Sequence, residues 1–144
     1  MASRLDNIIR LRQWELDEER RNLAILQGKQ DALYHEIHIL EEEVIEQKKA
    51  SSLEVFSLTV GAYMAGVRKK QDLISHQIDE LEQEISKQQD KVAESFRELK
   101  TYEIAREQEQ KRIQQAEARE EQQTYDEQAL RGYARGGDPF DSGF

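Results

Sequence analysis

The sequence predicts an all-α fold, a long antiparallel two-helix coiled-coil hairpin followed by a disordered C-terminal tail. Three observations predict it. Charged residues make up 35% of the chain and hydrophobic residues 37%, with a single proline, a composition of long charged helices more than of a globular core. Apolar residues recur at alternating spacings of three and four, the period of a left-handed coiled coil. The two runs that carry this period are out of phase across residues 50–59, which places a reversal there. Such polarity is also compatible with disorder, but the ordered apolar spacing argues against it.

Helix one is expected over about 3–50. Between Arg4 and Lys49 there is one glycine, Gly28, and no proline. One seam row reads Ile9, Leu16, Leu23, Gln30, Ile37, Val44, Ser51. The other reads Leu5, Arg12, Glu19, Leu26, Leu33, Leu40, Gln47. Nine of these fourteen positions are apolar, and the outward positions are mostly charged or Gln, as on a solvated helix face. The turn is expected at about 51–56, where Ser51, Ser52, Ser57 and Thr59 suit turns and helix N-caps. A short connection makes the two helices antiparallel neighbours.

Helix two is expected over about 57–131, with a seam of Met64, Val67, Gln71, Ile74, Ile78, Leu81, Ile85, Gln88, Val92, Ser95, Leu99 and Tyr102. It continues through the weaker Arg106, Glu109, Ile113, Ala116, Glu120 and Gln123. Arms of roughly 45 residues give a rod on the order of 70 Å long. In this register Leu26 faces Ile85, Leu33 faces Ile78 and Ile37 faces Ile74. With Leu40 and Leu81 they form the expected core, and those three layers are expected to pack best. The open end looks weakly self-paired, since Arg12, Glu19, Ser95 and Arg106 sit on its seam. From about residue 107 to residue 131 helix two has no partner strand in the chain, so this overhang is either frayed or held by another protein. Residues 1–131 thus form the hairpin. The tail, 132–144, holds four of the seven glycines and the only proline, as a disordered segment or short linear motif does.

Composition also excludes function classes. The net charge is −9 and the longest basic run is Arg68-Lys69-Lys70, so there is no basic stripe for nucleic acid. The most apolar uncharged stretch, Val55 to Val67, falls short of the ~20 residues that span a bilayer. The first residues lack a signal-peptide core, which points to the cytosol. There is no cysteine, hence no disulfide and no thiolate metal site. His35 and His38 share a helix face, but that face is the outer one where nothing converges on them, and His76 is placed no better. No phosphate-binding Gly loop, nucleophile elbow or zinc-protease helix motif occurs. A two-helix rod has no concave pocket. No enzyme, metal or cofactor is expected.

What remains is partner binding. Val60 to Val67 (VGAYMAGV) combines small residues with Tyr63 and Met64, and Phe56 and Leu58 lie just before it. This set either packs the turn or forms a patch near the hairpin tip. Trp14, Phe96 and Tyr102 pose the same question near the open end. Trp14 lies two residues before a seam position and faces outward, where tryptophan is often an interface anchor.

Several segments, in this order and spacing, resemble the FliJ family of flagellar type III export proteins. They are Leu5-Asp-Asn-Ile-Ile-Arg-Leu-Arg-Gln-Trp14, Asp17-Glu-Glu-Arg-Arg21, Tyr63-Met-Ala-Gly-Val67, Glu98-Leu-Lys-Thr-Tyr-Glu-Ile-Ala105 and Arg119-Glu-Glu-Gln-Gln-Thr-Tyr-Asp126-Glu. The resemblance covers residues 2–131 and leaves the tail outside. It implies a small cytoplasmic helical hairpin similar to the central stalk of rotary ATPases. Such a protein inserts into the export ATPase hexamer, contacts the cytoplasmic part of the membrane-embedded export gate, and escorts export chaperones. It would be peripherally associated with the export apparatus at the inner membrane, without inserting into it, and monomeric when free. By position the gate patch corresponds to Tyr63, Val67, Lys70 and Ile74, with Lys70 where the family tends to have a small residue. The ATPase end is expected at Arg10, Arg12, Trp14, Tyr102, Arg106 and Arg112. The alternatives are the equivalent stalk of a virulence secretion system and a purely structural coiled-coil adaptor.

Overall fold

The computed structural model describes the backbone of residues 4–50 and 53–136 and the side chains of residues 4–49 and 60–135. The expected reversal at Ser51 and Ser52, the side chains of Phe56 and Leu58, and the tail from residue 137 lie outside the described residues. Two helices account for the rest, α1 over Arg4–Ala50 (47 residues) and α2 over Leu53–Gly136 (84 residues). They are packed against each other. Both are rich in Glu, Gln, Lys, Leu and Ala, strong helix formers. Asp6 in the first turn of α1, Lys48 and Lys49 in its last turn, and Arg135 in the last turn of α2 each complement the helix dipole. α2 begins at Leu53, inside the stretch expected to turn, and runs on to Gly136, past the expected end near residue 131. Gly61 and Gly66 do not interrupt it, because helical backbone needs nothing a glycine cannot supply; they only lower its propensity.

The chain divides into two compact units, one of Arg10–Leu99 and one of Met1–Ile9 with Lys100–Phe144. In the first, every seam position from residue 12 to residue 44 on α1 and from residue 64 to residue 99 on α2 is buried or half-buried. The core residues are Leu16, Leu40, Val67, Ile78, Leu81, Ile85 and Leu99, and one polar side chain, Gln88, is buried with them. Two rows at alternating three- and four-residue spacing make a single stripe per helix, so two helices suffice to cover it.

The ranking within that seam differs from expectation. Leu26, Leu33, Ile37 and Ile74, expected in the best-packed layers, are only half-buried. Leu16 is 3% exposed and is the most buried side chain of its unit. The cause lies in the flanks. Around Leu16 the long side chains of Arg12, Glu15, Glu19, Gln88 and Glu98 link across or along the helices, and their aliphatic stems cover the seam. Beside Leu33 and Ile74 the flank opens into a groove instead.

In the second unit Ile9 is 2% exposed, and Leu5, Asp6, Ile8, Tyr102, Glu103, Ala105, Arg106 and Glu109 are half-buried. Every described side chain from residue 110 to residue 135 is exposed.

Candidate partner-binding surfaces

The polar seam positions expected to weaken one end are paired within the chain. Arg12 Nη1 donates to Glu15 Oε2 at 2.8 Å and lies 3.1 Å from Glu98 Oε2. Gln88 Nε2 donates to the main-chain oxygen of Glu19 at 2.9 Å and also to the Glu19 carboxylate. In the other unit Arg106 Nη1 lies 3.3 Å from Asp6 Oδ1. Such charge-assisted contacts satisfy groups that an apolar seam would otherwise leave stranded. Arg12, Glu19 and Arg106 thus each have a partner within their own unit.

This pairing sorts the residues expected at an ATPase contact. On α1, Arg10 is exposed and Trp14 is 59% exposed, with Leu11 beside it at 52%, whereas Arg12 is engaged as above. On α2, Tyr102 is half-buried, Arg106 is paired with Asp6, and Arg112 is exposed. Beyond it Ile113, Tyr125, Leu130 and Tyr133 expose between 51% and 75% of their surface, with no side chain among the described residues covering them.

The residues expected at an export-gate contact are not equivalent either. Val67 is 5% exposed and belongs to the seam. Tyr63 is half-buried and Lys70 is exposed. Lys70 and Ile74 line an open groove of about 510 Å³ together with Leu33, Ile39, Leu40 and Leu73. Glu36, Glu43 and Gln77 edge the same groove. Leu73 is 60% and Ile39 is 41% exposed, enough to give the groove an apolar floor open to solvent. Sequence reasoning missed Ile39 and Leu73. The available signal was that both are apolar yet fall outside the two seam rows, so nothing in the hairpin needs them.

The histidines stay at the surface. His38 Nε2 lies 2.9 Å from Glu42 Oε1 and His76 Nε2 lies 3.1 Å from Glu80 Oε1, all with side chains more than 60% exposed. Among the described residues no cluster of His, Cys, Asp and Glu could hold a metal ion. No described helix is long and apolar enough to cross a membrane.

An antiparallel pair of long charged helices, closed by a heptad seam and carrying exposed apolar residues off that seam, defines an all-α coiled-coil protein. The family model of the flagellar FliJ protein matches residues 1–138, and the chain belongs to that family. It is accordingly a flagellar, export-related protein, of a family whose members are non-catalytic export components. The match reaches into the segment that the resemblance noted above leaves outside. No curated protein and no solved structure matches the chain.

Proposed function

We propose that this chain is a non-enzymatic central-stalk protein of the flagellar export apparatus, binding the export ATPase hexamer and the export gate and escorting export chaperones. The observation that carries this reading is the last part of α2. From residue 110 to residue 135 a continuous helix exposes every side chain, including Ile113, Tyr125, Leu130 and Tyr133. A lone helix gains little from propensity and draws most of its stability from burying a face, so another protein is the natural source of that burial. Arg112 and the apolar residues after it supply one ATPase contact, with Tyr102 at its start. Arg10 and Trp14 on α1 supply another. Arg12 and Arg106 support these contacts through their in-chain partners, because their guanidinium groups are already engaged.

The gate contact falls on the groove that holds Lys70 and Ile74, with Tyr63 earlier on α2 and Val67 behind it in the seam. The free protein is a cytoplasmic monomer that associates peripherally with the apparatus at the inner membrane. The family match favours a flagellar system over a virulence one. A ring would respond to such a stalk only through differential binding to its states. Truncation after Tyr102 tests the reading: the full chain should stimulate the hexameric ATPase of its own system and the truncated chain should not. Undiminished stimulation by the truncated chain, with loss on Tyr63→Ala, would reverse the assignment of ends. No stimulation by either chain would favour a structural adaptor.

A further inference from the structure

We propose that the Arg12–Glu98 and Glu19–Gln88 contacts form a register lock, which holds α1 and α2 in one antiparallel alignment and excludes parallel self-association. The apolar seam cannot do this alone. Its rows repeat every seven residues, so a shift of one heptad still sets apolar against apolar. Leu26, expected opposite Ile85, would meet Ile78 or Val92, and Ile37, expected opposite Ile74, would meet Val67 or Leu81. Hydrophobic burial, which is non-directional, barely distinguishes these alignments.

The polar layers do distinguish them. In the observed alignment Arg12 Nη1 is 3.1 Å from Glu98 Oε2, and Gln88 Nε2 donates to the Glu19 carboxylate. A heptad shift in one direction sets Arg12 against Lys91 and Glu19 against Leu81, two cations together and a carboxylate against an apolar side chain. A shift in the other direction sets Glu19 against Ser95 and removes Arg12 from Glu98. Gln88, 8% exposed, leaves the Glu19 carboxylate in both cases and faces Arg12 in one and Leu26 in the other. Every residue offers a main-chain carbonyl, so it is the bond to the carboxylate that distinguishes the alignments.

Parallel pairing of two copies through α1 fares worse. Arg12 and Glu19 occupy the same seam row, so in register each would face its own copy, cation on cation and carboxylate on carboxylate. Single polar seam residues are known to specify register and partner number at some cost in stability. Here one layer is charged and the other pairs a carboxylate with an amide, and each fails in a different way when misaligned.

The test compares the parent with a full-length variant carrying Arg12→Leu, Glu19→Leu, Gln88→Leu and Glu98→Leu. The chain has no cysteine, so Ala24→Cys and Lys87→Cys, both at exposed positions, accept spin labels cleanly in each background. The parent should give one inter-label distance and sediment as a monomer. The variant should melt no lower than the parent, since apolar residues replace partly buried polar groups along the seam. It should also show a second distance population or a dimer, because a heptad shift moves one label about 10 Å along the axis. A monomeric variant retaining the parent's single distance would overturn the proposal. So would a variant that melts lower than the parent, which would make the polar layers a source of stability and not of alignment.

Discussion

Gln88 reaches from α2 to the main-chain carbonyl of Glu19, a residue 69 positions earlier in the chain, and donates to it at 2.9 Å. A buried amide thus crosses the seam and bonds to helix backbone that is already part of a helical ladder. Gln88→Ala removes the donor and opens a small gap. The expected cost is about 1–2 kcal/mol, the net worth of a partly buried hydrogen bond and the lost packing, whereas Gln88→Leu should cost less than about 1 kcal/mol because it refills the volume. Urea unfolding followed by circular dichroism measures both, and equal losses would show that the amide bond contributes nothing beyond its volume.

Core truncations should follow the observed burial and not the regularity of the apolar rows. Leu16→Ala removes a side chain that is 3% exposed and should cost roughly 3–4 kcal/mol, with Ile78→Ala slightly below it. Leu33→Ala, at a half-buried position beside an open groove, should cost only about 1–2 kcal/mol. Melting temperatures in the order wild type, Leu33→Ala, Ile78→Ala, Leu16→Ala, falling along that series, are the expected result.

The seam rows themselves were legible from sequence because a heptad period is a local property, readable one turn at a time. All positions of both rows in the Arg10–Leu99 unit, except Gln47 and those outside the described residues, turned out buried or half-buried. The partner of Arg12 was not legible, since Glu98 lies one position before Leu99 and off the rows. Nor was the groove beside Leu33, which depends on how far the flanking side chains of two different helices reach across a gap. Of the surface residues, Trp14 was placed outward by the period, and Val67 was placed on the seam by the period but on a contact surface by the resemblance. The structure puts its side chain in the seam.

The ion pair between Arg106 and Asp6, 3.3 Å long and a third or more exposed on each side, should be worth little. Asp6→Asn is expected to change stability by less than about 1 kcal/mol after solvent screening. That change should shrink further between low and high salt as the screening length falls from about 10 Å to about 3 Å. Thermal melts at 0.1 M and 1 M salt check both statements.

Gly28 sits in the middle of α1, and a Cβ added there would meet nothing within 4 Å. Gly28→Ala should stabilise the free protein by about 0.5–1 kcal/mol through helix propensity alone. A neutral or destabilising result by chemical unfolding would show that α1 is not an ordinary helix at that point.

Trp14 offers a test in which stability and binding separate. With 59% of its surface exposed, Trp14→Ala should shift folding stability by no more than about 0.5 kcal/mol. If it anchors the proposed ATPase contact, the same change should weaken binding about 30-fold, as loss of an aromatic hot spot does. Titration of labelled protein against the ATPase ring reads the second effect, and unchanged affinity would remove Trp14 from the contact.

Gln88 and Glu19 are 69 residues apart in the sequence, and Arg106 and Asp6 are 100 apart. Closing a longer loop costs more entropy before any contact repays it. Pairing should therefore begin near the reversal, around Val44 and Val67, and advance like a zip, so that Leu16, the most buried side chain of its unit, docks late. A late-forming contact acts on the unfolding rate and leaves the folding rate almost untouched. Leu16→Ala should thus unfold the protein faster while refolding at nearly the parental rate, and Val67→Ala should slow refolding. The polar layers beside Leu16 then act as a final check on alignment, closing only after the apolar rows have already committed to one another.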